Sequence, residues 1–481
     1  MNLSLTQALR VNSSSCIAFI GAGGKTTAMF QLARTLSKNE GASPVIVTAT
    51  SHLGAWQLGL ADQHIMADTP DPIEKLEHGL KGVILLTGEM DGDRTKPINN
   101  NLMNWLQQFC GYHSIPLLIE ADGSRGKPLK AWAEHEPPVP EFVEFVVQVV
   151  GLTGLGKSLN DKNVHRPEIF SRLSGLSIGE SITADSLVRI LKHRESGLKN
   201  IPANARRVAL LNQADTHELQ SAAQGMTQAL IPAYHSVIIS SLEQEKIFAV
   251  HEPIAGIILA AGESSRFGKP KQLLDWRGQP FVRAVAKTAL EAGLSSVVVV
   301  SGANAEQVEF AVKDLNVTVI KNEDWKSGQG GSIKTGILSV INAHLHSLAL
   351  PARASVRQVQ VSPTVAALPP LSARHGTEVG AAIFLLTDQP QVTTSIIRAL
   401  IEKHAEGLYP IVAPMVMDQR ANPVLFDRAT FPDLMGLEGD VGGRAIFHKH
   451  RVEYLPWHDD RLLLDVDTPE MYQRLISDET L

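Results

Sequence analysis

Short runs of Val, Ile and Leu, each ended by small or polar residues, recur along the first half of the chain. They are CIAFI (16–20), PVIVTAT (44–50), GVILLTG (82–88), IPLLIEAD (115–122), FVVQVVG (145–151) and RVALLNQAD (207–215). The runs are continuous rather than alternating, as expected of strands buried on both faces, and amphipathic segments lie between several of them. Strands alternating with helices predict a mostly parallel sheet covered on both sides. The pattern restarts at Ile254 with GIILAAG, SSVVVVSGA, NVTVIKNED, AAIFLLTDQP, YPIVAPM and RLLLDVD. A fresh start predicts a second α/β domain, and EKIFAVHEP (245–253) is the expected junction, giving domains at 1–250 and 251–481. Residues 347–378 fit neither pattern. They carry four prolines and no clear period, and are read as a disordered loop inserted before the strand at 381.

Composition changes this picture little. A chain of 481 residues that is 44% hydrophobic and 20% charged can bury two sizeable cores. The net charge of −6 argues against chain-wide attraction to nucleic acid or an anionic membrane. Cys16 and Cys110 have no metal-like or redox-like spacing, so no disulfide and a cytoplasmic location are expected. No apolar run approaches the ~20 residues of a membrane span, and the first residues do not read as a signal peptide.

Candidate chemistry gathers at two strand ends. In the second half, IILAAGESSRFGKPKQLL (257–274) stops a strand on Ala260, Ala261 and Gly262 and then crowds Arg266 and Lys271 just beyond. Small residues let a ligand approach the backbone, and the cations suit phosphates. Asp388 in LLTDQP and Asp467 in LLLDVDTP each follow an apolar run, so both are expected at the ligand edge of the sheet, where two carboxylates and phosphate oxygens can hold Mg²⁺. A single such Asp is more often a cap or turn residue. A pair beside a phosphate loop reads differently.

AAGESSRFGKPKQLL, TDQP and LDVDTPE together resemble the MobA-like nucleotidyltransferases, and among them the molybdenum cofactor cytidylyltransferases. NEDWKSGQGGSIKTG (322–336) and GDVGGRAIF (439–447) are similar to further segments of that subfamily. The resemblance implies a Rossmann-like domain that transfers CMP from CTP to the terminal phosphate of molybdopterin, with pyrophosphate leaving. It implies Mg²⁺ on Asp388 and Asp467, catalytic charge from Arg266 and Lys271, and nucleotide contacts at Ala260, Ala261, Gly262 and Ser332. Guanylyl-transferring relatives typically have Gly-Gly and two arginines in place of Ala-Ala and Ser-Ser, which favours CTP. Asp440 is read as a cap ahead of helix-start amides, either a site for the pterin phosphate or an ordinary cap.

In the first half, FIGAGGKTT (19–27) follows a strand and opens a helix, as a P-loop does. Gly23, Gly24, Lys25 and Thr26 would then bind the phosphates of ATP or GTP. The front of that signature is missing, because Phe19 stands where glycine belongs. Asp122 in IPLLIEADGSRGKPLK is placed to hold Mg²⁺ through water. LLNQAD (210–215) has Gln213 where a guanine-reading element has Lys, and His165-Arg166 is either structural or an anion contact. GAGGKTT, TATSH, EADGSRG and VHRPE in this order resemble the YqeC-like family of selenium-dependent hydroxylase accessory proteins. That resemblance implies a role in molybdenum hydroxylase maturation, with an apo-hydroxylase as partner. Two other readings stand: a sugar-phosphate or other alcohol-phosphate nucleotidyltransferase, and a non-catalytic carrier of finished cofactor.

Overall fold

The computed structural model describes residues 3–12, 14–38, 44–74, 79–263, 267, 269–347 and 379–477. Arg266 and nearly all of the segment read as an insertion lie outside them. The chain divides into two compact units, Met1–His251 and Glu252–Leu481.

Unit 1 is built on a nine-stranded sheet. Its strands are β1 (Cys16–Gly21), β2 (Val45–Ala49), β3 (Gln63–Met66), β4 (Val83–Thr87), β5 (Leu117–Glu120), β7 (Phe145–Gly151), β9 (Arg206–Asn212), β10 (Ser236–Ser241) and β11 (Lys246–His251). Apart from this sheet, β6 (Leu129–Lys130) and β8 (Val164–His165) form a separate parallel ladder, and the short strands Leu53–Gly54, Met90–Asp91 and Arg94–Thr95 form a small antiparallel sheet. The order across the large sheet is β11-β10-β9-β7-β1-β5-β2-β4-β3, and every pairing is parallel except β10 with β11. All six runs read as strands in this half are strands. The division between the units falls within the segment read as the junction, 245–253, and its KIFAVH forms the antiparallel edge strand that ends unit 1. Its Ala249 and Val250 are buried, so the segment carries core as well as connection.

The sheet order reverses direction at β1, with β7 on one side and β5 on the other. A crevice opens beyond the carboxyl ends at such a switch point. The helix α1 (Lys25–Lys38) follows β1 directly and packs Met29, Leu32, Ala33 and Leu36 inward at helical spacing.

Unit 2 restarts with β12 (Ile254–Ala260), β13 (Ser296–Ser301), β14 (Thr318–Lys321), β15 (Ala381–Leu386), β16 (Ile411–Val416), β17 (Gln419–Arg420), β18 (Val424–Asp427) and β19 (Val452–Pro456). The order is β14-β13-β12-β15-β18-β16-β17, with β19 also on β16. The sheet is mixed: β14, β13, β12 and β15 run parallel, while β18 is antiparallel to both β15 and β16.

One expected strand is absent. RLLLDVD forms a 3₁₀ turn over Asp460–Leu463 and then irregular chain. Asp459 caps the turn by accepting from the Arg461 amide. Side chains take the place of a sheet partner: Gln391 Nε2 donates to the Arg461 and Leu464 carbonyls at 3.0 and 2.6 Å, and Gln389 Nε2 to that of Leu462 at 3.4 Å. A run of three leucines cannot by itself distinguish a strand from a buried turn.

Candidate functional site

In unit 2 the residues singled out from the sequence meet at the carboxyl edge of β12 and β15. Ala260 and Ala261 are buried where β12 ends, and Gly262 is exposed. Gln272, itself buried, donates to the Gly262 carbonyl at 3.2 Å and ties the loop to the turn that carries Lys271. Lys271 Nζ bonds Asp467 Oδ1 and lies 3.9 Å from Asp388 Oδ2. Asp388 follows β15 as expected. Asp467 reaches the same place on the irregular segment, which the Val466 amide pins to the Asp388 carbonyl at 3.1 Å.

Charge is concentrated here. Burial pushes the Asp388 carboxyl up to about 6, aided by Asp465 and Asp467 and opposed by Lys271. Asp388 Oδ1 is buried and has no hydrogen-bond partner among the described residues. Asp465 escaped the sequence reading, which took only the second Asp of DVD. Burial raises its carboxyl too, with Asp467 adding to the effect, while Gln389 Nε2 bonds it at 2.5 Å. Arg444 lies close enough to oppose that rise. An orphaned carboxylate oxygen amid like charges is a setting that a divalent cation would relieve. Among the described residues no group of three or more His, Cys, Asp or Glu side chains is placed to hold an ion.

Ser332 lies in the first turn of the helix α2 (Gln329–Ser347). Its hydroxyl accepts from Asn322 Nδ2 at 3.1 Å, just past the end of β14. That places it on the same sheet edge, without a hydrogen bond to the Lys271 cluster among the described residues. The Gly328–Gly330 segment packs against Gly439, whose carbonyl accepts from the Gly330 amide at 3.1 Å. Asp440 is not a cap: the short turn Gly443–Ile446 is led by Gly442 and has no side-chain cap.

In unit 1, β1 runs to Gly21, and only Ala22, Gly23 and Gly24 separate it from Lys25 at the helix start. Phe19 is therefore core strand, fully buried, and not a loop residue. The turn is tightly welded. Gly21, Gly23 and Gly24 have φ of 97°, 83° and 119°. A methyl carbon at Gly23 would collide with the Gly151 backbone and fall 2.9 Å from the Pro128 carbonyl oxygen. Gly23→Ala is expected to cost about 3 kcal/mol, combining the left-handed penalty with a backbone clash. Urea unfolding of unit 1 checks this, and a loss below about 1 kcal/mol would show that the turn gives way.

Lys25 is 4% exposed. Its Nζ donates to the Gly21 carbonyl at 2.7 Å and lies 3.3 Å from Asp122 Oδ1. Thr26 Oγ1 donates to Glu120 Oε2 at 3.0 Å, and Gln57 Nε2 donates to Thr26 Oγ1 at 2.8 Å. Burial pushes the Glu120 carboxyl up, against Lys25 and Thr26. Asp122, read as a ligand of water-bound Mg²⁺, has both oxygens engaged: by the Gly21 amide at 3.1 Å, by Trp132 Nε1 at 2.7 Å, and by Lys130 at 3.0 Å beside Lys25. Asn212 is also structural, donating to the Gly23 carbonyl at 2.8 Å and accepting from the Leu242 amide at 3.0 Å. Gln57 was not legible because it arrives from a distant segment, and Lys130, although it ends the stretch that carries Asp122, gives no local sign that it is buried against that carboxylate.

The fold and site define a two-unit α/β protein whose second unit is of the nucleotidyltransferase type. The YqeC protein family matches residues 17–168, and the MobA-like NTP transferase domain matches 256–454. The chain belongs to the YqeC family through unit 1. It is 32% identical over 221 residues to "Uncharacterized protein YqeC" of Escherichia coli (strain K12), covering 44% of this chain and 82% of that protein. It is also 28% identical over 232 residues to "Nicotine blue oxidoreductase" of Paenarthrobacter nicotinovorans, covering 46% and 96%. A shorter match, 40% identical over 86 residues, joins it to "Probable molybdenum cofactor guanylyltransferase" of Bacillus mycoides (strain KBAB4), covering 18% and 40%.

Proposed function

We propose that unit 2 transfers a nucleotidyl group from a nucleoside triphosphate to a phosphate-bearing acceptor. An acceptor phosphate oxygen attacks the α-phosphorus, the α–β bridging P–O bond breaks, and pyrophosphate leaves with the bonding pair. The single observation that supports this most is the meeting of Lys271, Asp388 and Asp467 beside the Ala260–Gly262 strand end. The small residues admit phosphate oxygens close to the backbone. Lys271, released from its carboxylates, offsets charge on the leaving group, so that alignment and electrostatics carry the reaction. Asp388 and Asp467 would hold Mg²⁺, which supplies neutralising charge to the phosphates. Arg266, outside the described residues, is assigned a phosphate contact by its place in the motif, and Ser332 a nucleotide contact.

The favoured substrates are CTP and the terminal phosphate of molybdopterin. AAGESSR supports CTP, whereas the name of the Bacillus relative supports GTP, so the nucleotide is the first thing to measure. The full chain incubated with molybdopterin, Mg²⁺ and each of the common NTPs should release pyrophosphate fastest with CTP, by about tenfold or more over GTP, a margin of ~1.4 kcal/mol. Equal or faster release with GTP overturns the CTP assignment. Turnover with sugar phosphates but not molybdopterin selects the wider nucleotidyltransferase reading. Redox turnover without pyrophosphate would place unit 2 with the relative named as an oxidoreductase.

For unit 1 the proposal is narrower: the GAGGKTT turn binds the phosphates of ATP or GTP in support of molybdenum hydroxylase maturation. Cofactor insertion retained after Asp388→Ala would favour a carrier role for the chain.

A further inference from the structure

The VHRPE and EADGSRG segments of unit 1 are not absorbed by either proposed reaction, and the fold joins them. In the β6–β8 ladder His165 is the direct partner of Lys130, so the two side chains share a face. The loop that enters β6, Gly123–Pro128, is welded to the GAGGKT turn, since the Pro128 carbonyl accepts from the Gly151 amide at 3.0 Å where Gly151 meets Gly23.

Cations outnumber anions on this platform. Lys25 and Lys130 share Asp122, and Lys130 and Arg166 share Glu136. Lys127 Nζ donates to the Val164 carbonyl at 3.2 Å, which sets it beside His165, and its carboxylate partner, Asp161 at 3.3 Å, is 80% exposed and screens weakly. The Arg125 guanidinium, on an exposed residue, has no hydrogen bond or ion pair among the described residues. Arg125 also sits at φ 52° beside Gly126 at φ 72°, in a turn closed by Lys127 N–H to the Ser124 carbonyl at 3.2 Å. Two left-handed central residues favour Gly or Asn, so arginine here is held against local preference. His165 answers to the same crowding: burial first, then Arg166 and Lys130, hold its imidazole down at about 4. It is therefore neutral at ordinary pH and able to donate one N–H without adding charge.

We propose that Arg125, Lys127 and His165 form a second anion site in unit 1, beside the GAGGKT turn, which takes the phosphate group of a second substrate. Unit 1 then holds two anionic groups on adjoining loops, one on the turn and one on the ladder. The site is distinct from nucleotide binding by the turn and does not require it.

The test is site-resolved arginine modification of the full chain by phenylglyoxal, with inorganic phosphate as the probe. Saturating phosphate should slow modification of Arg125 by about tenfold, the scale of one charge-assisted hydrogen bond, and leave the exposed Arg194 unchanged. In a Lys127→Ala variant the phosphate concentration giving half-protection should rise by about tenfold. Arg125 modified at one rate with and without phosphate overturns the site. Protection undiminished in Lys127→Ala overturns it as well, because the phosphate would then lie on the neighbouring turn.

Discussion

Asp388→Ala is expected to lower the rate of nucleotidyl transfer by about 100- to 1,000-fold, the loss typical of deleting one electrostatic stabiliser, or ~2–4 kcal/mol of barrier. Asp467→Ala should fall in the same range. The fold should survive the Asp388 change, because its half-buried carboxyl lies near Asp465 and Asp467 and its removal relieves repulsion. A melting temperature at or above wild type, with transfer lost, is the expected combination. Wild-type transfer by the variant would reduce Asp388 to a turn residue. A pH signature accompanies it. A carboxyl raised to about 6 favours the protonated fold, so its stabilising contribution is full below its ordinary value and lost as pH rises through 6. Cation binding needs the ionised form, so half-maximal transfer should demand more Mg²⁺ as pH falls below about 6. Mg²⁺ titrations at two pH values measure this, and a requirement that does not change with pH would remove Asp388 from the cation site.

Asp122→Ala is expected to destabilise unit 1 by about 3–5 kcal/mol, because it takes the shared carboxylate from two buried ammonium groups at once. Lys25 and Lys130 both lie against this carboxylate, and both are 4% exposed. Burial already drives the Lys130 ammonium downward, with Asp122 the largest opposing influence. Without it, Lys130 keeps Glu136 at 3.3 Å and the Gly123 carbonyl at 2.7 Å, while Lys25 keeps Glu120 at 4.0 Å and the Gly21 carbonyl at 2.7 Å. The Gly21 amide and Trp132 Nε1 lose their acceptor too. For a unit of this size the transition should move down by on the order of 10 °C. Calorimetry of the full chain reads it, since unit 2 has its own core clusters and should melt unchanged. A unit 1 transition within about 2 °C of wild type would mean that the lysines find other partners or shed their protons.

What the sequence revealed and what it withheld follow one physical line. Continuous apolar runs are local signals, so CIAFI, FVVQVVG and AAIFLL were legible as strands, and with them the residues at their ends. RLLLDVD carried the same signal but is held by Gln389 and Gln391, side chains more than 70 positions away in sequence. Asp467 was found at the site although the element carrying it was misread, because its neighbours place it there by a different route. Gln57 takes part only through Thr26, 31 positions away, and Asp465 is tied to Gln389, 76 positions away, so no local pattern announces either; Lys130 stands only eight residues beyond Asp122, but its burial against that carboxylate is a product of the fold. The missing glycine at Phe19 was visible as a departure. Its meaning, a strand that simply continues two residues further, needed the ladder with β5 and β7.

The junction itself has a consequence. β11 closes one sheet at His251 and β12 opens the other at Ile254, so no strand is shared and the connection is Glu252–Pro253 alone. Each sheet could be encoded by its own gene without losing a strand. Carried on one chain, the two units are instead made in equal numbers from every message, and neither can be produced in excess of the other.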